Sequence, residues 1–509
     1  MSHFNPGQPY GADVNGDWLP SAEFASTLAS TARDRHDTQW ETVELELETI
    51  TPVFGGGTIA GEIDALAPFR PRAIKNAIRH WWWLLNRSRF TGNPQALYAE
   101  MTMLFGGAAT RDAGGAGAVR IRATGPDIAC VRNSMNWYFP WRGPGPGRAQ
   151  HAWVQKQGHP WSYALFSAKG EVQQNKGSWN ALLNSLGAKE GQTLVPFTGN
   201  ANLTPWFKRP PSVILTPTLK FSLRLSVGAD LDEDRFESVK SAALFWILIG
   251  GVGSRTSRGL GALRVTGENT NSARWATTLP IQAWAGTDGI EDWVSCRMPG
   301  ARIVFDDYSS TNPLSAWESA IDRYKNFRQA RQTRRPGGKP ARSYWPKVDV
   351  LRQLGRLHER DVHEVHHRSV RAEHLPLPEL FFGAPIEVSA DGRNKCTIGF
   401  SGMERYASPL TLRPICIGDR YYAAAFVLPF HSDVDGKSAD IGGDVKEYAM
   451  WWFNSKAAAA AMLANIPPLR HDALVNDPRA HLVSAAKGAT DPIDMFLNYF
   501  DERRPGTDY

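Results

Sequence analysis

An apolar helix that stops at paired glycines and runs straight into a glycine-arginine loop is the feature that most constrains this chain. Asp232, Glu233 and Asp234 give the helix an acidic start. Phe236, Val239, Ala243, Phe245 and residues 246–249 make its body apolar, and Gly250-Gly251 ends it. The loop Gly250-Gly251-Val252-Gly253-Ser254-Arg255-Thr256-Ser257-Arg258-Gly259-Leu260-Gly261 then enters a strand, Ala262-Leu263-Arg264-Val265. It has no Gly-Lys-Ser/Thr, position 256 is Thr, and it leaves a helix instead of opening one. Walker and dinucleotide loops are thereby excluded. Glycines let a backbone come close to a sugar-phosphate chain, and Arg255 and Arg258 add charge and bidentate forks. A purely structural turn before an edge strand would also want glycine.

A second stretch has the same chemistry. In Arg70-Pro71-Arg72-Ala73-Ile74-Lys75-Asn76-Ala77-Ile78-Arg79-His80-Trp81-Trp82-Trp83, Pro71 suits a first helical position, and Ile74, Ile78, Trp81 and Leu85 recur as one buried face. The other face carries Arg72, Lys75, Arg79 and an indole from Trp82 or Trp83. Arg70 and Arg72 oppose the helix dipole unless an anion is shared there by the free N–H groups and the guanidinium forks. A solvated basic face with the tryptophans turned inward is the alternative.

The order of elements joins these stretches. A strand from Val43 to Thr51 opens with Val43-Glu44-Leu45-Glu46-Leu47-Glu48, and a turn follows at Gly55-Gly56-Gly57; then come the basic helix, the second helix, the Gly-Arg loop and a closing strand. This order resembles the RAMP superfamily of CRISPR effector proteins. Thr49-Ile50-Thr51-Pro52, Arg70-Pro71 with Ile74-Lys75, Arg79-His80-Trp81-Trp82 and the late glycine loop resemble the Cmr-type capping subunit of type III-B complexes. Weaker likeness extends over Phe382-Gly383-Ala384-Pro385-Ile386 and residues 407–415. The resemblance implies an α+β chain of two tandem ferredoxin-like (RRM-like) modules. It also implies an RNA-binding role at the end of the assembly near the guide RNA 3′ end, helping to capture target RNA in antiviral defence. Guide (CRISPR) RNA, target RNA and other RAMP subunits are the implied partners.

Length permits that organisation, since 509 residues exceed one core. Expected divisions are a polar extension over 1–40, a first module over 41–285 with an irregular insertion at about 125–210, and a second module over 286–509. The balance of 57 Lys and Arg against 51 Asp and Glu is only mildly basic, so a nucleic-acid surface must be a local patch. Cys130, Cys296, Cys396 and Cys416 show neither metal spacing nor a secreted framework. No apolar run has the length of a membrane span and residues 1–6 do not read as a signal peptide, so no membrane association and a cytoplasmic location are expected.

The insertion holds Trp137-Tyr138-Phe139-Pro140-Trp141-Arg142, His151, Trp153, Lys156, Trp161 and Trp206-Phe207-Lys208-Arg209. Aromatic faces interleaved with cations can stack on unpaired bases, and they can equally staple a long loop to its own domain. Between 323 and 347, nine cations (Arg323, Lys325, Arg328, Arg331, Arg334, Arg335, Lys339, Arg342 and Lys347) occur without an acidic residue. Arg328, Arg331 and Arg335 share a face if the helix beginning at Leu314 continues that far, and a polyanion bound there would release counterions. A solvated loop or an acidic protein partner is the alternative.

The histidines His358, His363, His366, His367 and His374 complete this basic and His-rich segment, 323–374. His363-Glu364-Val365-His366-His367 formally matches a zinc-hydrolase motif, but no third-ligand signature follows it; a solvated polar helix is the plainer reading, and neither metal nor cofactor is expected. No nucleophile elbow or activated cysteine is present. Binding without turnover is the expectation; a zinc hydrolase or a guide-RNA-processing endoribonuclease is the alternative. The expected RNA-binding residues are Arg70, Arg72, Lys75, Arg79, Arg255, Arg258, Arg328, Arg331 and Arg335.

Overall fold

The alternation that opens the first strand sets the architecture. β1 (Trp40–Thr49) buries Val43, Leu45 and Leu47 and turns Glu44 and Glu46 to its other face, as a period of two requires. Along the chain follow α1 (Pro71–Asn86), β2 (Val119–Thr124), β3 (Lys220–Gly228), α2 (Glu233–Phe245) and β4 (Leu263–Thr270). The strands lie side by side as β4-β1-β3-β2, antiparallel throughout, with Leu45 opposite Leu223 and Ile121 opposite Leu225. That is the order of a ferredoxin-like βαββαβ unit. Asp232 caps α2 by accepting the Arg235 N–H at 2.8 Å, with Glu233 and Asp234 in the first turn.

The structure is a computed structural model. It describes residues 39–328 apart from 58, 60, 108–114, 145–152, 156–159, 174–178, 190–191, 199–201 and 277–285; beyond them it describes 379, 382–383, 386–389, 395–400, 406–429, 438–442, 451–452, 489 and 492–501. Residues 1–38, Arg331, Arg335 and the histidines from 358 to 374 lie outside the described residues.

Between β2 and β3 the insertion builds a small core of its own from Phe139, Leu182, Leu183, Leu186, Val195, Leu203 and Phe207, with Trp137, Trp141 and Trp206 packed against it. Trp161 leaves it to meet Trp317 at 5.2 Å and to donate to Glu318 at 2.6 Å. These four tryptophans anchor the insertion to itself and to Trp317 and Glu318.

The second half supplies α3 (Thr287–Arg297), β5 (Arg302–Ser310), α4 (Pro313–Arg328), β6 (Leu410–Ile417), β7 (Arg420–Val427) and α5 (Pro492–Asp501). β6 and β7 form a hairpin at Gly418-Asp419, with Gly418 left-handed. In β7, Ala424 and Phe426 enter the core of α1 and α2, while Ala423, Ala425 and Val427 enter the core of α4 and α5. A strand covered on both faces is apolar throughout for that reason. The sheet β5-β7-β6 is therefore a wall shared by both halves, and α1 and α2 lie between two sheets. Ile290, Val294, Met298, Ile303 and Phe305 belong to the same core as Val43, so the core does not divide at residue 285. Among the described residues this sheet has three strands, one short of a second βαββαβ unit. No described helix is long and apolar enough to cross a membrane.

Phe426 lies 6.0 Å from Trp81 and 6.3 Å from Phe245, at the centre of the wall. Phe426→Ala is expected to cost about 3–5 kcal/mol in denaturant unfolding. Tyr308→Ala, at a ring 69% exposed, is expected to change stability by no more than about 0.5 kcal/mol.

Candidate nucleic-acid interface

α1 begins at Pro71 without a side-chain cap and without an acidic residue in its first turn. Its free N–H groups and the cations around them therefore remain in conflict with one another. Arg70 answers part of that conflict locally. Its guanidinium folds back and donates to the carbonyl oxygens of Gly56 and, at 2.9 Å, Gly57, bracing a turn in which Gly55 and Gly56 are left-handed. Arg72 is exposed, whereas Lys75 and Arg79, one turn apart, are half-buried. Burial, then the charges of Arg79 and Arg120, hold the Lys75 ammonium below its ordinary range. Burial likewise lowers Arg79, with Tyr98 pulling the other way, and the Arg79 Nε is buried without a hydrogen-bond partner among the described residues. No carboxylate pairs with Lys75 or Arg79 among the described residues.

Arg120 is the residue that the sequence did not single out. It stands on β2 with its guanidinium 3.9 Å from the Trp40 ring centroid, and only its alternating place in Val119-Arg120-Ile121-Arg122 marked it as outward-facing. Of the two candidate indoles, Trp82 is buried and donates to Ser238 at 2.8 Å. Trp83 is the one at the polar flank, under Arg87 at 5.3 Å.

The glycine loop follows a π-helical turn, Trp246–Gly250, and is laced to the end of β1. Ile50 N donates to Ala262 O (2.8 Å), Gly261 N to Pro52 O (2.9 Å) and Ser254 N to Phe54 O (2.6 Å). The buried Thr51 hydroxyl donates to Gly259 O at 2.6 Å and accepts from Ala262 N at 2.8 Å. Two motifs about 200 residues apart in sequence thus become one loop pair. Gly259, at φ +78, is also fixed by packing, since a Cβ there would meet Leu412 O and the Trp317 ring at 2.6 Å each. Trp317 Nε1 donates to Arg258 O at 2.7 Å, so the loop sits at the junction with α4.

Arg255 occupies a left-handed conformation, φ +59, uncommon outside glycine. Its Nη1 donates to Ala164 O at 3.1 Å, and burial and Arg258 lower its pKa. Arg258 lies 4.6 Å from the Tyr324 ring centroid and donates to its hydroxyl at 3.4 Å; its Nη1 is buried without a hydrogen-bond partner among the described residues. Arg328 shares that neighbourhood but is committed inward: its guanidinium lies over Phe382 at 4.9 Å and donates to Glu379 O at 3.1 Å. Burial works against its charge, yet Tyr324, Tyr163 and Glu379 outweigh burial and raise its pKa. The Tyr163 hydroxyl is pushed up to about 12 by burial and Tyr324. The structure thus gathers Arg258 and Arg328 around Tyr324 with Arg255 near Arg258, and Lys75 and Arg79 near Arg120, while Arg70 holds the turn between strand and helix.

Residues 46–264 match the family model of the RAMP superfamily. These residues belong to the RAMP superfamily. The matched span runs from within β1 to the start of β4, so the RAMP region contains the basic helix, the insertion and the glycine loop. No curated protein matches the chain. Among solved structures, the chain is similar to apo Cmr1 from Pyrococcus furiosus at 12% identity, covering 84% of this chain and 97% of that one, with a TM-score of 0.37. A chain of the type III-B Cmr-beta complex bound to cognate target RNA matches at 12% identity, covering 77% and 94%, with a TM-score of 0.38.

The charge on Lys75 is disfavoured by the fold, because its folded pKa lies below the value in an unfolded chain. The resulting penalty is complete at pH values below the folded pKa and is relieved as pH rises through it towards 10.5. Lys75→Met is therefore expected to match or exceed the parent in Tm at neutral pH, with the difference closing as pH rises. A large loss of Tm at neutral pH would mean that the charge is structural.

Proposed function

We propose that this chain is an RNA-binding subunit of a type III-B CRISPR RNA-guided effector complex, seated at the end of the assembly near the guide RNA 3′ end and helping to capture target RNA. The RAMP match over residues 46–264 and the resemblance of Thr49-Ile50-Thr51-Pro52, Arg70-Pro71 and the glycine loop to the Cmr-type capping subunit support the assembly. One observation carries the RNA reading. Lys75 and Arg79 on α1, and Arg255 and Arg258 on the glycine loop, are half-buried cations that repel one another in pairs. Protein stability alone gives no reason to keep such pairs, whereas a phosphate chain neutralises both members at once.

The mechanism is physical. Arg72, Lys75 and Arg79 grip phosphates at the uncapped start and flank of α1, and Arg255 and Arg258 grip them beside a backbone that its glycines leave open to close approach. Sequence is read by pairing of guide with target and not by this chain. The subunit binds without turnover, and its partners are guide RNA, target RNA and the other RAMP subunits.

Arg72→Ala combined with Arg79→Ala is expected to weaken RNA binding evenly across sequences. On single-stranded RNA it should also reduce the slope of log K against log salt by about 1.4, at about 0.7 for each phosphate contact. Titrations at several salt concentrations give both quantities. An unchanged slope would remove these residues from the RNA surface.

A further inference from the structure

Within the insertion, one turn departs from the anchoring role of its neighbours. The segment Pro160–Ala164 is a short helix that buries Trp161 and Ala164, and Phe166–Ala168 forms a 3-10 turn directly after it. Phe166 is 57% exposed, although the other aromatic side chains that hold the insertion are packed away. Lys169 stands with its ammonium 4.2 Å from the Phe166 ring centroid and 5.9 Å from that of Trp141. Burial and the nearby charge of Arg209 lower the pKa of Lys169, so two more cations crowd here. Glu171 does not relieve them, because it is paired with Lys208 at 3.3 Å. Neither Lys169 nor Arg209 has a carboxylate partner among the described residues.

The turn is also tied to the glycine loop. Arg255 donates to the carbonyl of Ala164, two residues before Phe166. At 3.8 Å per step, the Cα atoms of those two residues lie no more than about 7.6 Å apart. The exposed ring and the backbone contact of Arg255 therefore belong to one turn of the insertion, within a span comparable to one nucleotide step.

We propose that Phe166, with Lys169 against its ring and Arg209 close to Lys169, is a stacking platform for one unpaired RNA base at the point where the strand leaves the glycine loop. This rests on the RNA-binding reading and deepens it by naming single-stranded RNA as the ligand of the insertion. An exposed aromatic face with a cation against it and no acid to neutralise that cation suits a base and its phosphate. An acidic protein surface would use the two cations but has no need of a bare ring beside them.

The test uses the full chain, a fluorescent single-stranded RNA oligonucleotide and a blunt RNA duplex of the same length. Phe166→Ala is expected to weaken single-strand binding by roughly 5- to 150-fold, the equivalent of one stacked base. Its salt slope should not change, and duplex binding should stay at the parental level. Phe166→Trp should restore single-strand affinity, which a merely structural role in the turn would not require. Arg209→Ala should lower the salt slope by about 0.7. Single-strand affinity equal to the parent in Phe166→Ala, with Arg255→Ala still weakening it, would overturn the platform alone and assign this face to a protein contact. Failure of the parent protein to bind either RNA would overturn the RNA-binding reading and the platform with it.

Discussion

The hydroxyl of Thr51 is the contact on which the candidate interface depends. Placed at the end of the first strand of the sheet, it gives its proton to Gly259 and receives one from Ala262, and both exchanges are buried. Removal of either partner would leave a polar group without water or protein to satisfy it, which is the expensive case for a hydrogen bond. Through this residue and its neighbours, the strand that starts the sheet also sets the path of the loop that follows the second helix. The turn braced by Arg70 lies against that loop, with Gly56 beside Gly253. Two cation-bearing segments remote in sequence are thus fixed in relation to each other by backbone hydrogen bonding, before any side chain reaches outward.

Much of this was legible beforehand because it is local. Alternation in residues 43–48 wrote the strand, Pro71 and the apolar spacing of Ile74, Ile78 and Trp81 wrote the helix, and Gly250-Gly251 wrote its partner's end. The inward roles were not legible. A guanidinium at the start of a helix reads the same whether it faces solvent or turns back to brace a carbonyl, so Arg70 looked like a phosphate ligand. Arg328 sits at the right spacing for a basic face, yet its neighbours Tyr324 and Phe382 and the carbonyl of Glu379 decide its direction. Arg120 was passed over because an arginine at an outward strand position usually means only solvent. One hint of the shared core was available: the uninterrupted run Ala423-Ala424-Ala425-Phe426-Val427 has no polar alternate, and a strand of that kind must be covered on both sides.

Electrostatics separates the charges that hold the molecule from those that do not. Arg264 with Glu48, Arg235 with Glu100 and Arg323 with Asp306 are paired at 2.6 Å each. Lys75 and Arg255 instead have other cations among the influences that lower them. Arg413 is a different case, fully buried between the halves with its Nη2 3.4 Å from Ile247 O and its pKa pressed down to about 9 by burial alone. It lies beside the π-helical turn and away from solvent, so it belongs to the joint and not to the open surface.

The wedge of Gly259 between the Leu412 carbonyl and the Trp317 ring has a mechanical consequence. The segment that carries Arg255 and Arg258 is also the segment on which α4 and the shared sheet close, so the proposed grip and the joint are one part. Free-energy coupling between two such events is reciprocal. Any ligand that prefers the closed joint stiffens it, and any change that slackens α4 against the loop loosens the hold on that ligand by the same factor. An RNA strand bound there as proposed would be released by any hinge of the two halves at the glycine loop.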